Sequence, residues 1–82
     1  MRKAPTMVRG KADPTLGAVI RQAREDAKLS QAQLAVHAGL AVGTLTRLEA
    51  GLTDPSWSSV KGLAAALKLP LVELVRRLEA ER

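Results

Sequence analysis

The 82-residue chain predicts an all-α fold of five short helices. Apolar residues recur at helical spacing in five successive runs, no segment alternates apolar and polar residues with period two, and strong stop signals separate the runs. At 46% apolar content the chain can fill one core, whereas a second would need about 100 residues more. Residues 1–12 read as a basic arm and residues 13–82 as the folded domain.

In the first helix, Leu16, Val19, Ile20, Ala23 and Ala27 follow the i, i+3, i+4, i+7 pattern of one buried stripe. Asp13 or Thr15 can cap its start, Pro14 suits its first turn, and Lys28 complements the dipole at its end. In the second, Ser30 is placed to cap amides in residues 31–33, Leu34, Ala35 and Ala38 face inward, and Gly39 ends the helix as the residue most tolerant of positive φ. The third spans about residues 42–50, buries Leu45 and Leu48, and is closed by Gly51; it is too short to be stable alone.

A polar turn, Thr53-Asp54-Pro55-Ser56, precedes a fourth helix over residues 57–68. There Trp57, Val60, Leu63, Ala64 and Leu67 form one face, with Trp57 expected to fill core and Asp54 to cap the start. Pro70 forbids continuation and permits a restart. The fifth helix spaces Leu71, Leu74, Val75 and Leu78 on a stripe longer than a bare core needs, which points to a homodimer through those residues. Arg76 and Arg77 beside Glu73 and Glu79 read as a solvated face.

Composition removes most chemistry. The chain has no Cys, Tyr or Phe and a single His. His37 falls mid-helix without a second ligand and is expected at the surface, so no metal, cofactor or enzymatic activity is expected. No apolar run approaches the roughly 18 residues of a membrane span, and the N-terminus lacks a secretory pattern, so the chain reads as cytoplasmic. Thirteen Lys and Arg against eight Asp and Glu give a formal charge of +5, which invites an anionic partner such as nucleic acid. The charge is unevenly placed. Arg2, Lys3, Arg9 and Lys11 lie in an acid-free first eleven residues, and residues 12–82 hold nine basic and eight acidic side chains. That arm has too little apolar surface to order itself; it is expected to be mobile, and serves either to follow phosphates or merely to solubilise.

Residues 31–48 combine a short helix, a glycine turn and another short helix. Two helices crossing steeply through a short turn need a small residue where their backbones approach, a positive-φ residue at the turn, and apolar residues that bind one to the other. Ala35, Gly39, and the set Leu34, Ala38, Leu40, Leu45 and Leu48 supply these in order.

The segments Leu29-Ser-Gln-Ala-Gln-Leu-Ala35, Ala38-Gly-Leu, Thr44-Leu-Thr-Arg-Leu-Glu49, Gly51 and Pro55-Ser-Trp-Ser-Ser-Val60-Lys-Gly-Leu-Ala64 resemble the Cro/cI helix-turn-helix family, also called XRE-type and lambda-repressor-like, over about residues 16–74. The resemblance implies a sequence-specific transcriptional regulator, read here as a repressor although the residues do not fix the sign of regulation, that binds a near-palindromic site on double-stranded DNA as a dimer. Val42, Gly43, Thr46 and Arg47 match positions that meet base edges, and Arg24, Ser30, Gln31 and Thr44 match positions near phosphates. It also implies a partly buried ion pair between Arg24 and Glu49. The chain departs from the family where Val42, Gly43 and Ala50 replace the more usual polar residues, and where Leu52 and Asp54 occupy a turn that is commonly basic. Readout is therefore expected to be weakly polar, with Val42 suited to a thymine methyl and Gly43 to close backbone approach. A restriction-modification controller and a phage-type repressor fit the size equally. The alternative from another class is a helix-turn-helix antitoxin that neutralises a protein partner and binds DNA secondarily.

Overall fold

A computed structural model describes residues 14–80 of the chain. Within them α1 is Pro14–Asp26, α2 Gln31–Ala38, α3 Val42–Glu49, α4 Trp57–Ala66 and α5 Leu71–Ala80, with no strand among the described residues. The basic arm and the capping role considered for Asp13 lie outside the described residues.

Each helix is too short to persist alone, so stability comes from a shared core. Ile20 of α1, Leu34 of α2, Leu45 and Leu48 of α3, Leu63 of α4 and Leu74 of α5 are its fully buried large side chains. Burying each contributes about 1.5–3 kcal/mol. Ala23, Ala35 and Ala64 fill the spaces between them, which allows the backbones to come close.

Two glycines set those distances. A Cβ on Gly17 of α1 would overlap the Leu48 carbonyl at the end of α3, and one on Gly62 of α4 would lie 2.7 Å from the Ala38 carbonyl of α2. A glycine inside a helix is unfavourable by about 1 kcal/mol relative to alanine, and that penalty is the sequence signal for close packing at both positions.

The first four helices end alike. Lys28 (φ 62°), Gly39 (78°), Gly51 (77°) and Lys68 (57°) take the left-handed conformation. In each case the next residue is a leucine whose amide returns to a carbonyl five residues back: Leu29 to Arg24, Leu40 to Ala35, Leu52 to Arg47 and Leu69 to Ala64, at 2.8–3.1 Å. This is the Schellman arrangement, which satisfies carbonyls the helix leaves unpaired. Leu29, Leu40 and Leu69 pack against the core, while Leu52 is 71% exposed.

Helix ends and one aromatic depart from the expected pattern. The fourth helix ends at Ala66 instead of running to Lys68, because Lys68 is the residue that turns the chain. Lys28 likewise closes α1 rather than only complementing its dipole. Ser56, not Asp54, caps α4, its Oγ accepting from the Ser59 amide at 3.0 Å. Trp57 is 62% exposed rather than core; at the first position of α4 its side chain leans back past the helix start.

The expected stripe of α5 also divides. Leu74 is 1% exposed inside the protomer's own core, and Leu71 and Leu78 pack against that core. The residues 71, 74 and 78 share the inward face, so a dimer cannot use Leu74. The outward apolar residues are Val75 and its neighbour Val72, 51% and 61% exposed.

Candidate nucleic-acid interface

The interface begins with the start of α2. Ser30 Oγ accepts from the Gln33 amide at 3.0 Å, and Gln33 Oε1 accepts from the Ser30 amide at 2.8 Å, a reciprocal capping box. This holds Gln31 in the first turn. At the other end, Gly39 closes α2 and lets Leu40 turn back into the core, so that α3 starts only three residues later.

On α3 the buried pair Leu45 and Leu48 sets the rotation of the helix. With those two inward, Val42, Gly43, Thr46 and Arg47 all face outward, and Thr44 is half-buried at the edge. The outward set repeats at i, i+1, i+4 and i+5, one continuous ridge on a helix. A Cβ on Gly43 would meet only the Arg47 guanidinium at 3.5 Å, so this glycine is not required by packing.

A chain of polar contacts props the ridge from beneath. Arg24 Nε donates to Glu49 Oε2 at 2.7 Å and Nη2 to Glu49 Oε1 at 3.0 Å, a two-pronged pair; Nη1 donates to the Leu29 carbonyl at 2.9 Å. The Arg24 side chain is 12% exposed and that of Glu49 3%. Gln31 Nε2 also donates to Glu49 Oε1 at 3.0 Å, and Thr46 Oγ1 lies 2.9 Å from Gln31 Oε1 and 3.0 Å from the Val42 carbonyl. The hydrogen bond to Glu49 raises the Arg24 guanidinium above its ordinary range, against desolvation, which lowers it. The guanidinium therefore stays charged throughout the neutral range. A second acid, Glu25, pairs with Arg21 at 3.1 Å on the open surface, where such pairs contribute little.

The structure thus gathers Arg24, Gln31, Thr46 and Glu49 around one network, joining α1, α2 and α3. Arg24 has Nε, Nη1 and Nη2 all engaged within the protein, so it reaches a phosphate only through its remaining Nη hydrogens. His37 is at the surface. The contact between Gln31 and Thr46 was not foreseen, because nothing in the sequence marks two polar residues fifteen apart as partners. No helix among the described residues is long and apolar enough to cross a membrane.

A profile described as "Helix-turn-helix domain" matches residues 15–78. The wild-type restriction-modification controller protein C.Esp1396I is similar in structure, with TM-score 0.79 and 19% identity over 83% of this chain and 88% of that one. The restriction-modification controller protein C.AhdI from Aeromonas hydrophila shares 32% identity over 73% of this chain and 91% of its own, with TM-score 0.70. The clp gene regulator ClgR from C. glutamicum shares 24% identity, covering 83% of this chain and 88% of its own, with TM-score 0.77. No curated protein matches the chain. The fold and the exposed ridge of α3 define a helix-turn-helix protein, and the Cro/cI-like resemblance is borne out. The chain belongs to the helix-turn-helix domain family and is a sequence-specific DNA-binding regulator.

Proposed function

We propose that this regulator acts in the cytoplasm as a repressor, binding a near-palindromic operator as a homodimer. Each protomer lays α3 in the major groove, the two helices about 34 Å apart along the duplex. The observation that carries the reading is the outward ridge of Val42, Gly43, Thr46 and Arg47 above a buried leucine pair. Val42 meets a thymine methyl, Gly43 admits the backbone close to the bases, and Arg47 reaches a guanine edge. Ser30, Gln31 and Thr44 flank the ridge at phosphate level, with Arg24 behind them. Val72 and Val75 supply the exposed apolar face for a second copy, edged by Leu71 and Leu78. Residues 1–12 form an arm that follows the backbone of the duplex, and residues 13–82 form the domain that reads it. Its likeness to C.AhdI favours control of restriction-modification genes over a phage-type role. The protein works by occupancy, not by catalysis.

Exposed Leu52 and Trp57, 71% and 62% accessible beside the motif, favour a second reading in which a partner protein covers them and DNA is secondary. A salt titration separates the two. Groove binding with Z phosphate contacts gives a log–log slope near −0.9Z, whereas a flat slope supports the protein partner. In vitro selection of duplex oligonucleotides tests the main reading directly: Arg47→Ala weakens every sequence, and Val42→Gln changes which sequences win. Absence of any enriched half-site overturns it.

A further inference from the structure

We infer that two inward acceptors, Gln31 Oε1 and the Val42 carbonyl, fix the polarity of base recognition on the ridge, making Thr46 a hydrogen-bond acceptor that reads an adenine or cytosine amino group. This rests on the proposed seating of α3 in the major groove. Each orientation in the network forces the next. An arginine guanidinium only donates and an ionised carboxylate only accepts, so Arg24 and Glu49 have no alternative orientation. Glu49 Oε1 lies 3.0 Å from the Gln31 carboxamide, which must therefore turn its nitrogen toward the carboxylate. Its oxygen is then left facing Thr46 at 2.9 Å. Two oxygens now compete for the single hydroxyl hydrogen of Thr46: Gln31 Oε1, and the Val42 carbonyl at 3.0 Å. Both are acceptors within the protein. The hydrogen is held inward by either one, and what the exposed Thr46 hydroxyl presents to a ligand is a lone pair.

In the major groove the exocyclic donors are adenine N6 and cytosine N4, while thymine O4 and guanine O6 and N7 are acceptors. An acceptor-only Thr46 therefore favours adenine or cytosine on one strand at one step of each half-site, and rejects thymine or guanine on that strand. Glu49, 3% exposed and beneath the ridge, orients Gln31 so that its oxygen faces Thr46.

The test is selection from randomised duplex oligonucleotides by the full chain, followed by competition between the winning site and its single-base variants. Wild type is expected to enrich adenine or cytosine at one symmetric step by roughly tenfold, the effect of one base hydrogen bond. Thr46→Val keeps the methyl and removes the hydroxyl, and reduces that ratio to within about twofold, while Thr46→Ser retains it. Thr46 is exposed, so neither change threatens the fold.

Glu49→Gln separates the two inward acceptors. Its amide can donate to Gln31 Oε1, which reverses Gln31 and points a donor at Thr46; the hydroxyl hydrogen then goes to the Val42 carbonyl, so the preference is expected to persist. Because the measurement is a ratio of affinities, lost stability cancels. Enrichment of thymine or guanine at the step, a preference unchanged by Thr46→Val, or a folded Glu49→Gln protein that loses the preference each overturns the inference while leaving DNA reading intact. A wild type that enriches no sequence overturns both.

Discussion

Helices α3 and α5 are built on the same plan and carry different surfaces. Each turns leucines into the core, Leu45 and Leu48 from α3, Leu74 from α5, and each leaves a row of residues outside. On α3 the outer row is tied down: Thr46 bonds to Gln31, Gln31 to Glu49, and Glu49 to Arg24, so three helices hold one ridge. On α5 the outer row is Val72 and Val75, and the ion pair on that helix joins half-buried Arg77 to Glu73 at 3.4 Å, one turn apart on the same helix. Recognition of base edges needs hydrogen-bonding groups fixed in direction before the ligand arrives, because a misaligned donor or acceptor loses most of its value. Burying apolar surface against a second copy is non-directional and needs no such scaffold.

Substitutions can break this contrast at several depths. The deepest is Gly17→Ala, which drives a methyl into the Leu48 carbonyl and forces α1 off the end of α3. Neither backbone can yield cheaply, so we expect a loss of about 3 kcal/mol or more, read from urea unfolding followed by circular dichroism. A wild-type midpoint would show that the α1–α3 approach does not set the ridge. Next is Glu49→Gln, expected to destabilise by about 3 kcal/mol because it leaves the largely buried Arg24 charge without its partner. Glu25→Gln, at a half-exposed carboxylate 3.1 Å from Arg21 and 3.9 Å from Arg24, should change stability by no more than about 1 kcal/mol. The raised Arg24 group keeps its proton beyond the ordinary range of a guanidinium, so its stabilising contribution is constant across the neutral and mildly alkaline range and is lost only in strong alkali. Equal losses for the two variants in parallel melts would mean that the pair is not a strut.

On α5 the expected effects are smaller and of another kind. Val75→Asp places a charge in the exposed apolar row, and is expected to weaken self-association at least tenfold, about 1.4 kcal/mol, with little change in the protomer's unfolding. Sedimentation equilibrium reads the first and thermal melts the second. Unaltered association would count against the proposed dimer contact on α5. Smallest is Gly43→Ala, which has room for its methyl and should stabilise the fold by about 0.8–1 kcal/mol. If Gly43 serves close approach to the bases, the same variant weakens operator binding while it raises the melting temperature. Gains in both would show that the glycine has no role in contact.

Much of this was legible in the residues, for reasons that differ from element to element. The cap at Ser30, and glycines 39 and 51, act within a single turn of chain, so their roles follow from local chemistry alone. The outward set on α3 was readable because Leu45 and Leu48 fix the rotation of an eight-residue helix. Lys28 and Lys68 were missed as helix terminators, since lysine in the left-handed region is unfavourable by about 1 kcal/mol and is chosen only when the following leucine has a core to enter. Trp57 was misplaced because its spacing fits the buried stripe of α4 while its position at the helix start carries it out of the packing.

Periodicity, caps and stop signals, all interactions spanning a few residues, were enough to determine five helices, their order and most of the face each turns inward, Trp57 and Val75 excepted. Three-dimensional packing alone decided which of the remaining residues meet. Gly17 under Leu48, Gln31 against Thr46, and Leu74 in the protomer's own core depend on how helices cross, and crossing is set by the summed shapes of many side chains rather than by any local pattern.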